Sequence, residues 1–289
     1  MTAPRLSTRP GAAAAKLLLV VVAVALVATI AAAVQRHNTL RPQAPVTAFA
    51  APIPVPATVM ANLTNIPDST WAHAGTTGAA RPVVVAAADT VGGKPVLLYI
   101  GALYCPYCAA ARWSVITALA RFGTFSGLTL SASSSVDVYP STPTFSFHNA
   151  TYTSSYISLD AVEMQAAEPV GDSYPLLDTL TLAQRALIAK YDGPPYLSKA
   201  SAGGIPFMLI GSRYMWSGSP YSPSLLAGDT QASVAATLAG GTGDAAPAIL
   251  ANANVIAATI CTVDGHQPKS VCTAPEILLA MKGLPTKGP

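Results

Sequence analysis

The hydrophobic pattern begins with a long apolar run near the N-terminus. Residues 17–34 read LLLVVVAVALVATIAAAV and contain no charged side chain. A helix of about 20 apolar residues crosses the roughly 30 Å hydrocarbon core of a bilayer. A helix at the surface of a folded domain keeps a polar stripe for water, and this run has none. The pattern therefore predicts one transmembrane helix over 17–34.

Basic residues on both sides of this run indicate its orientation. Three precede it and two follow it: Arg5, Arg9, Lys16, Arg36 and Arg41. By the positive-inside rule, residues 1–16 are expected in the cytoplasm and the rest of the chain outside it, on a single-pass protein of the cell membrane. Secretion after signal-peptide cleavage is the alternative, because Ala31–Ala33 suit a cleavage site. The anchor is favoured because signal peptides have an apolar core of about 7–15 residues.

Prolines dominate the segment that follows. They stand at 42, 45, 52, 54 and 56 and favour an extended spacer over a regular helix. We predict a proline-rich linker over 35–60, a folded domain over 61–265 and a C-terminal tail over 266–289.

The domain opens with a strand, a cysteine motif and a helix. Val96–Gly101 form a short continuous apolar run, which is typical of a strand buried on both faces. Cys105-Pro106-Tyr107-Cys108 follow, and the segment 109–123 then has apolar residues at helical spacing before Gly123.

Later segments of the domain predict further strands and helices. Strands are predicted at 128–135, 145–147, 150–159, 203–211 and 213–217. Helices are predicted at 223–239, at 245–261 and at 175–191, where Leu176, Leu180, Ala183 and Leu187 have helical spacing.

Composition narrows the function classes. Charged residues make up 10% of the chain, hydrophobic residues 51%, and the formal net charge is +3. So apolar a chain is not intrinsically disordered, and so small a charge does not indicate nucleic acid as a partner.

The C-x-x-C motif indicates thiol–disulfide exchange. Cys105 at a helix N-terminus would face unpaired N–H groups and the positive end of the helix dipole, which favour a thiolate. Cys108, one turn later, can resolve a mixed disulfide, and Pro106 suits the first helical position. No cofactor is needed for this chemistry.

These residues resemble the thioredoxin superfamily, and the Pro-Tyr dipeptide resembles that of glutaredoxins. The resemblance implies that Ile205-Pro206 is a cis-proline pair beside the motif that guides an extended substrate. We therefore expect Tyr104, Pro106, Tyr107, Ile205 and Pro206 to contact substrate. The implied fold is α/β: a thioredoxin-like three-layer fold with an inserted helical and β-rich segment over about 136–200, preceded by the transmembrane helix.

A closer resemblance is to the "domain of unknown function 929" family of archaeal and actinobacterial proteins. It is carried by IGALYCPYC at 100–108, Arg112-Trp113, RFGTFSGL at 121–128 and PTFSF at 143–147. It spans roughly residues 80 to 260 and supports the fold more than a substrate.

Two features depart from ordinary thioredoxins. Tyr104 stands where Trp is common, and the strand before the motif has no Asp to act as a buried proton acceptor. Arg112 and Arg121 on the following helix are expected to be solvated, although Arg112 is near enough in sequence to acidify a thiolate.

Other site classes are less favoured. Zinc is disfavoured because Cys261 and Cys272 lack ligand spacing, and a c-type haem would need His at Ala109. His148, Asp137 and the serines at 131–135 lack the Gly-x-Ser-x-Gly elbow of a hydrolase, so we interpret them as loop and strand residues.

Cys261 and Cys272 are expected to form a structural disulfide, with a second redox pair as the alternative. The expected function is an extracytoplasmic, membrane-anchored thiol–disulfide oxidoreductase that acts on protein thiols and disulfides and is recycled by a membrane redox partner. The alternative is a non-catalytic thioredoxin-like binding or assembly module whose motif is a fixed bridge.

Overall fold

The structure, a computed structural model, describes residues 52–85 and 94–289. The predicted cytoplasmic segment 1–16 and transmembrane helix 17–34 lie outside these residues, as does most of the predicted linker. The described chain combines sheets with helices, so the predicted α/β class is confirmed.

The described chain contains ten strands and eight helices. The strands are β1 (Ile53–Pro54), β2 (Val83–Val84), β3 (Val96–Gly101), β4 (Gly123–Ser126), β5 (Thr129–Ala132), β6 (Pro143–Ser146), β7 (Thr151–Ser154), β8 (Ser158–Glu163), β9 (Phe207–Ile210) and β10 (Tyr214–Ser217). The helices are α1 (Ala57–Thr64), α2 (Asp68–Ala74), α3 (Pro106–Leu119), α4 (Leu182–Tyr191), α5 (Gln231–Leu238), α6 (Ala246–Val263), α7 (Lys269–Cys272) and α8 (Pro275–Lys282), with a 3-10 turn at Pro223–Leu226.

A five-stranded sheet in the order β2-β10-β9-β3-β8 organises the domain. β3 pairs in parallel with β8 and antiparallel with β9, which continues into a hairpin with β10. Two smaller sheets, β1-β5-β6 and β4-β7, are antiparallel.

Strand β3 is buried on both faces, as its continuous apolar sequence predicts. Leu97 and Tyr99 belong to the larger apolar cluster, whereas Leu98 and Ile100 belong to a second one. Successive side chains of a strand point to opposite faces, so helices must cover both sides of this sheet.

Helix α3, which carries the cysteine motif, is enclosed by the domain. It packs against α6 and β6, and 13 of its 14 residues are buried. Tyr107 in the first turn is the exception.

Helix α4 begins later than predicted. It starts at Leu182 instead of 175, where the Thr181 hydroxyl accepts the Gln184 N–H and the Gln184 side chain accepts the Thr181 N–H. Leu176, which contributed to the helical spacing, instead forms an isolated β-bridge with Gln165. The capping box therefore sets the start of the helix.

Part of the predicted insertion belongs to the main sheet. The insertion was expected over 136–200, and β8 lies inside that range yet forms the edge strand next to β3. The residues predicted as an insertion therefore include β8, which is a strand of the central sheet.

Both predicted boundaries of the domain lie inside folded structure. In the predicted linker, β1 pairs with β5 and Val59 of α1 is buried. In the predicted tail, α8 packs against α6 through the buried Ile277 and Ala280. Apolar residues at both ends therefore extend the core beyond 61–265.

Among the described residues, α6 is long and apolar enough to span a membrane. Its 18 residues have a mean hydropathy of 1.6, and 78% of them are buried within the domain. We therefore interpret α6 as a core helix.

Candidate functional site

Cys105 occupies the N-cap of α3, directly before Pro106. Its Sγ accepts a hydrogen bond from the backbone N–H of Cys108 at 3.3 Å. The first N–H groups of a helix lack intrahelical partners, and the helix dipole adds partial positive charge there. Pro106 has no N–H to leave unpaired. The Cys105 sulfur thus lies next to the backbone N–H groups of the first helical turn, which stabilise a thiolate.

Tyr99 ties the end of β3 to the start of the helix. Its hydroxyl donates to the carbonyl oxygen of Cys108 at 3.4 Å. Burial raises the pKa of this phenol well above its usual range, so it remains a donor. A Cβ at Gly101 would lie 2.6 Å from the same hydroxyl, which explains the glycine at the end of the strand.

The two thiols differ in accessibility and in pKa. Both are free thiols; Cys105 is 5% exposed, whereas Cys108 is 0% exposed. Hydrogen bonding with the Cys108 side chain, more than any other contact, lowers the pKa of Cys105, and the positive charge of Arg112 also lowers it. Burial raises the pKa of Cys108 well above its usual range. This difference suits an attacking thiolate at Cys105 and a protonated resolving thiol at Cys108.

The segment before β9 meets the motif from 100 residues further along the chain. The Cys105 thiol lies 3.8 Å from the carbonyl oxygen of Ile205, and the Ile205–Pro206 peptide bond is cis. The carbonyl oxygen of Pro206 accepts the Gly218 N–H at 2.8 Å, which fixes the segment to the end of β10. The structure therefore places Ile205 and Pro206 beside Cys105.

Two of the predicted substrate contacts are tyrosines that meet other tyrosines. Tyr104 stacks on Tyr174 with ring centroids 4.2 Å apart. Tyr107, which is 41% exposed, meets Tyr139 edge-on at 5.9 Å. Burial and the nearby Cys105 sulfur raise the pKa of Tyr104, which keeps this hydroxyl neutral.

A buried ion pair lies close to the thiols. Arg112 donates from Nε to Oε1 of Glu163 at 2.7 Å and from Nη2 to Oε2 at 2.6 Å. Nη2 also donates to the carbonyl oxygen of Ala102 at 2.8 Å, and both charged side chains are 0% exposed. Arg112 is four residues after Cys108 on one helix, so both face the same side.

The expectation that Arg112 and Arg121 are solvated is wrong. Arg112 is enclosed because its part of α3 is fully buried, and the carboxylate of Glu163 pairs with its guanidinium. Arg121 is 11% exposed and pairs with Glu276 at 2.9 Å. Paired arginines can enter a core when a carboxylate matches the guanidinium fork.

Sequence reasoning missed Glu163. β3 lacks an acidic residue, but the neighbouring strand supplies one, because Gly101 and Glu163 are aligned in the parallel pair. No local signal marks this glutamate, since the pairing joins segments far apart in sequence.

The carboxylate of Asp178 links this region to a cavity. One oxygen accepts the backbone N–H of Glu163 at 2.9 Å, and the other lies 2.7 Å from Nδ1 of His148. His148 lines a cavity of about 370 Å³, as does Leu103, two residues before Cys105. His148 was expected only as a loop or strand residue, and in the structure its ring also pairs with Asp178.

The remaining cysteines form a separate disulfide. Cys261, near the end of α6, is joined to Cys272 of α7. Among residues 52–85 and 94–289, no group of three or more His, Cys, Asp or Glu side chains could hold a metal ion. The chemistry that the described residues bring together at the motif is therefore that of two thiols, one cation and one carboxylate.

Comparison with known proteins gives one family match. Neither the curated proteins nor the solved structures contain a match to the chain. The model of the family "Domain of unknown function (DUF929)" matches residues 82–262, which include the central sheet, the motif and most of α6. The match covers more than half of the chain and agrees with the resemblance noted in its sequence. The chain therefore belongs to the DUF929 family.

Proposed function

We propose that this domain is a thiol–disulfide oxidoreductase with a thioredoxin-like fold. The observation that carries the proposal is the position of the Cys105 sulfur. It lies at a helix N-terminus within hydrogen-bonding distance of the Cys108 N–H, and it faces the carbonyl oxygen of Ile205. One side supplies a stabilised thiolate, and the other supplies a backbone edge for a partner chain.

The strand arrangement supports the fold part of the proposal. β3 and β8 are parallel neighbours with α3 between them in sequence, and the antiparallel β9–β10 hairpin follows. A C-x-x-C motif in such a strand–helix–strand unit is typical of thioredoxin-like redox proteins.

The proposed reaction uses both cysteines. The Cys105 thiolate attacks one sulfur of a partner disulfide; a Cys105–partner bond forms, and the other partner sulfur leaves as a thiolate. Cys108 loses its proton to the first partner thiolate and attacks the Cys105 sulfur. The Cys105–Cys108 disulfide forms, the Cys105–partner bond breaks, and the second partner sulfur leaves as a thiolate. The partner gains two electrons that the protein loses, and the reverse sequence oxidises a partner dithiol.

The proposal includes a location outside the cytoplasm. The Cys261–Cys272 disulfide supports it, because such bridges persist in exported proteins and are rare in the cytosol. The apolar run at 17–34 would hold the domain at the membrane, next to a membrane partner that recycles the pair.

The reduction potential of the Cys105–Cys108 pair in the full-length chain tests the proposal. Structural disulfides have potentials below about −300 mV, so a catalytic pair is expected above that value. Cys108→Ala should accumulate mixed disulfides through Cys105, and the matched Cys105→Ala variant should accumulate none. A pair that resists reduction and traps no partner would contradict the proposal and favour a binding module.

A further inference from the structure

Two segments that surround the motif are fixed to it by backbone contacts. The Ser134 N–H donates to the carbonyl oxygen of Tyr104, and the Leu103 N–H donates to that of Gln165, both at 2.9 Å. The Tyr174 hydroxyl donates to the Ser134 hydroxyl oxygen at 3.0 Å and so joins the two segments. We call the segments 133–141 and 165–177 together the rim.

The rim exposes four apolar side chains, and its Tyr139 meets Tyr107 of the motif edge-on. Val136 and Val138 are 71% and 72% exposed, and Val170 and Leu176 are 72% and 79% exposed. Large apolar side chains that cluster at a surface mark interaction sites. With Tyr107 of the motif itself, five of the ten large apolar residues that are exposed in the described chain lie on the rim or the motif.

The rim is also acidic. Residues 122–184 contain six acidic residues and no Lys or Arg, although the whole chain has a net charge of +3. Asp137, Glu168 and Asp172 belong to the rim, and Asp137 lies near enough to Tyr104 to raise the pKa of that phenol. The cation nearest in sequence to the thiols, Arg112, is fully buried and paired with Glu163, so at the surface it offsets little of this charge.

The cavity that His148 lines also adjoins the rim, and we call it the recess. The cavity of about 370 Å³ is lined by Ala166, Ala167 and Glu168 of the rim and by the apolar Leu103, Leu130 and Leu177, of which Leu177 ends the rim. This volume lies in the range of sites that hold small ligands or anchoring side chains. Leu103 is two residues from Cys105, so a peptide joined to that sulfur can reach the recess within a few residues.

We propose that the rim selects polypeptide substrates whose reactive cysteine is flanked by apolar and basic residues. The apolar residues would lie on the exposed valines and in the recess, and the basic residues would face the rim carboxylates. This inference rests on the proposed function, because it assigns a sequence context to the disulfide that Cys105 attacks.

Short peptides whose single cysteine carries a mixed disulfide with thionitrobenzoate test the inference. The Cys105 thiolate attacks the peptide sulfur, the coloured thionitrobenzoate thiolate leaves, and Cys108 then releases the reduced peptide. A peptide flanked by Val and Lys is expected to react about tenfold faster than one flanked by Ser and Glu. The preference for Lys over Glu should shrink as the salt concentration rises toward about 1 M.

Variants of the full-length chain separate the apolar and charged contributions. For each protein, the rate with the Val-flanked peptide is divided by the rate with a small aromatic disulfide. This ratio should be about tenfold lower for V136S/V138S than for the unchanged chain. Asp137→Lys should weaken or reverse the preference for Lys over Glu. The matched control L278S/L279S, which alters two exposed leucines of α8, should keep both ratios, and thermal unfolding confirms that each variant is folded.

The outcomes distinguish this inference from the proposed function. Equal rates for all peptides, with normal reaction of the small disulfide, would overturn the rim inference and leave the oxidoreductase proposal standing. No reaction with the small disulfide would instead overturn the proposed function.

Discussion

Arg112 and Glu163 form a two-point ion pair that is closed to solvent, with donor–acceptor distances of 2.7 and 2.6 Å. The pair joins the motif helix to the strand beside β3. Its positive member lowers the pKa of Cys105, so one contact serves both the packing of the domain and the proposed chemistry.

Removal of one member of this pair should destabilise the domain strongly. Arg112→Met leaves the Glu163 carboxylate buried without a cation, which costs about 3–5 kcal/mol, whereas R112M/E163M should cost less than the sum of the single changes. Arg112→Met should also raise the pKa of Cys105. Thermal unfolding and the pH dependence of alkylation measure these effects. Arg121→Met, which breaks a partly exposed ion pair, is the control and should leave the pKa of Cys105 unchanged. If Arg112→Met and Arg121→Met changed the pKa of Cys105 equally, the role assigned to Arg112 would be contradicted.

Alkylation of the reduced chain should separate the two thiols. Cys105 should react with iodoacetamide with a midpoint pH below that of an ordinary cysteine, because its pKa is lowered. Cys108 should remain unmodified at neutral pH, because burial raises its pKa and blocks access. Cys108→Ala removes the largest lowering contact, so the midpoint for Cys105 should rise. A midpoint that stays unchanged in this variant would exclude the thiol–thiol hydrogen bond as the main cause.

The lowered pKa of Cys105 also predicts how the stability of the reduced chain varies with pH. A depressed acid stabilises the fold above its unfolded pKa, near 8.5 for cysteine, and this contribution is lost as pH falls through the folded pKa. The stability of the reduced protein relative to Cys105→Ser should therefore decrease as pH falls across this window. A difference in the free energy of unfolding between the two proteins that stays constant with pH would contradict the lowered pKa of Cys105.

The Cys261–Cys272 disulfide should contribute stability without taking part in exchange. It joins two residues 11 positions apart in sequence, and the chain entropy of so short a loop predicts about 3 kcal/mol. C261A/C272A should therefore unfold at lower temperature and still exchange thiols at the same rate per folded molecule. A loss of turnover in the folded variant would favour the second redox pair.

Protease treatment of intact cells tests the location. If the helix over 17–34 anchors the chain with its C-terminus outside, a C-terminal tag should be removed from intact cells. A cytoplasmic control protein must survive the same treatment. A protected tag would contradict the predicted orientation.

The local features of the site were predictable because they depend on neighbours in sequence. Strand β3, the motif and α3 follow one another, and apolar runs, turn residues and helical spacing identify them directly. The start of α4 was also encoded locally, in the Thr181–Gln184 capping box, but the spacing of Leu176 and Leu180 concealed it.

Long-range contacts were not predictable in this way. Glu163 acquires its role from its alignment with Gly101 and from a helix that buries Arg112. The position of Ile205 came from the family resemblance, since periodicity does not bring together residues 100 positions apart. The folded segments at both ends of the domain likewise depend on a core whose extent only packing determines.

The burial of α3 limits how this site can diverge. Within the helix, only Tyr107 is exposed, so other substitutions there disturb the core and cost stability. New partner preferences can therefore arise with least penalty at Tyr107 and in the surrounding loops. Among family members, the sequence of α3 should accordingly be nearly constant, whereas the sequence of the surrounding loops should vary.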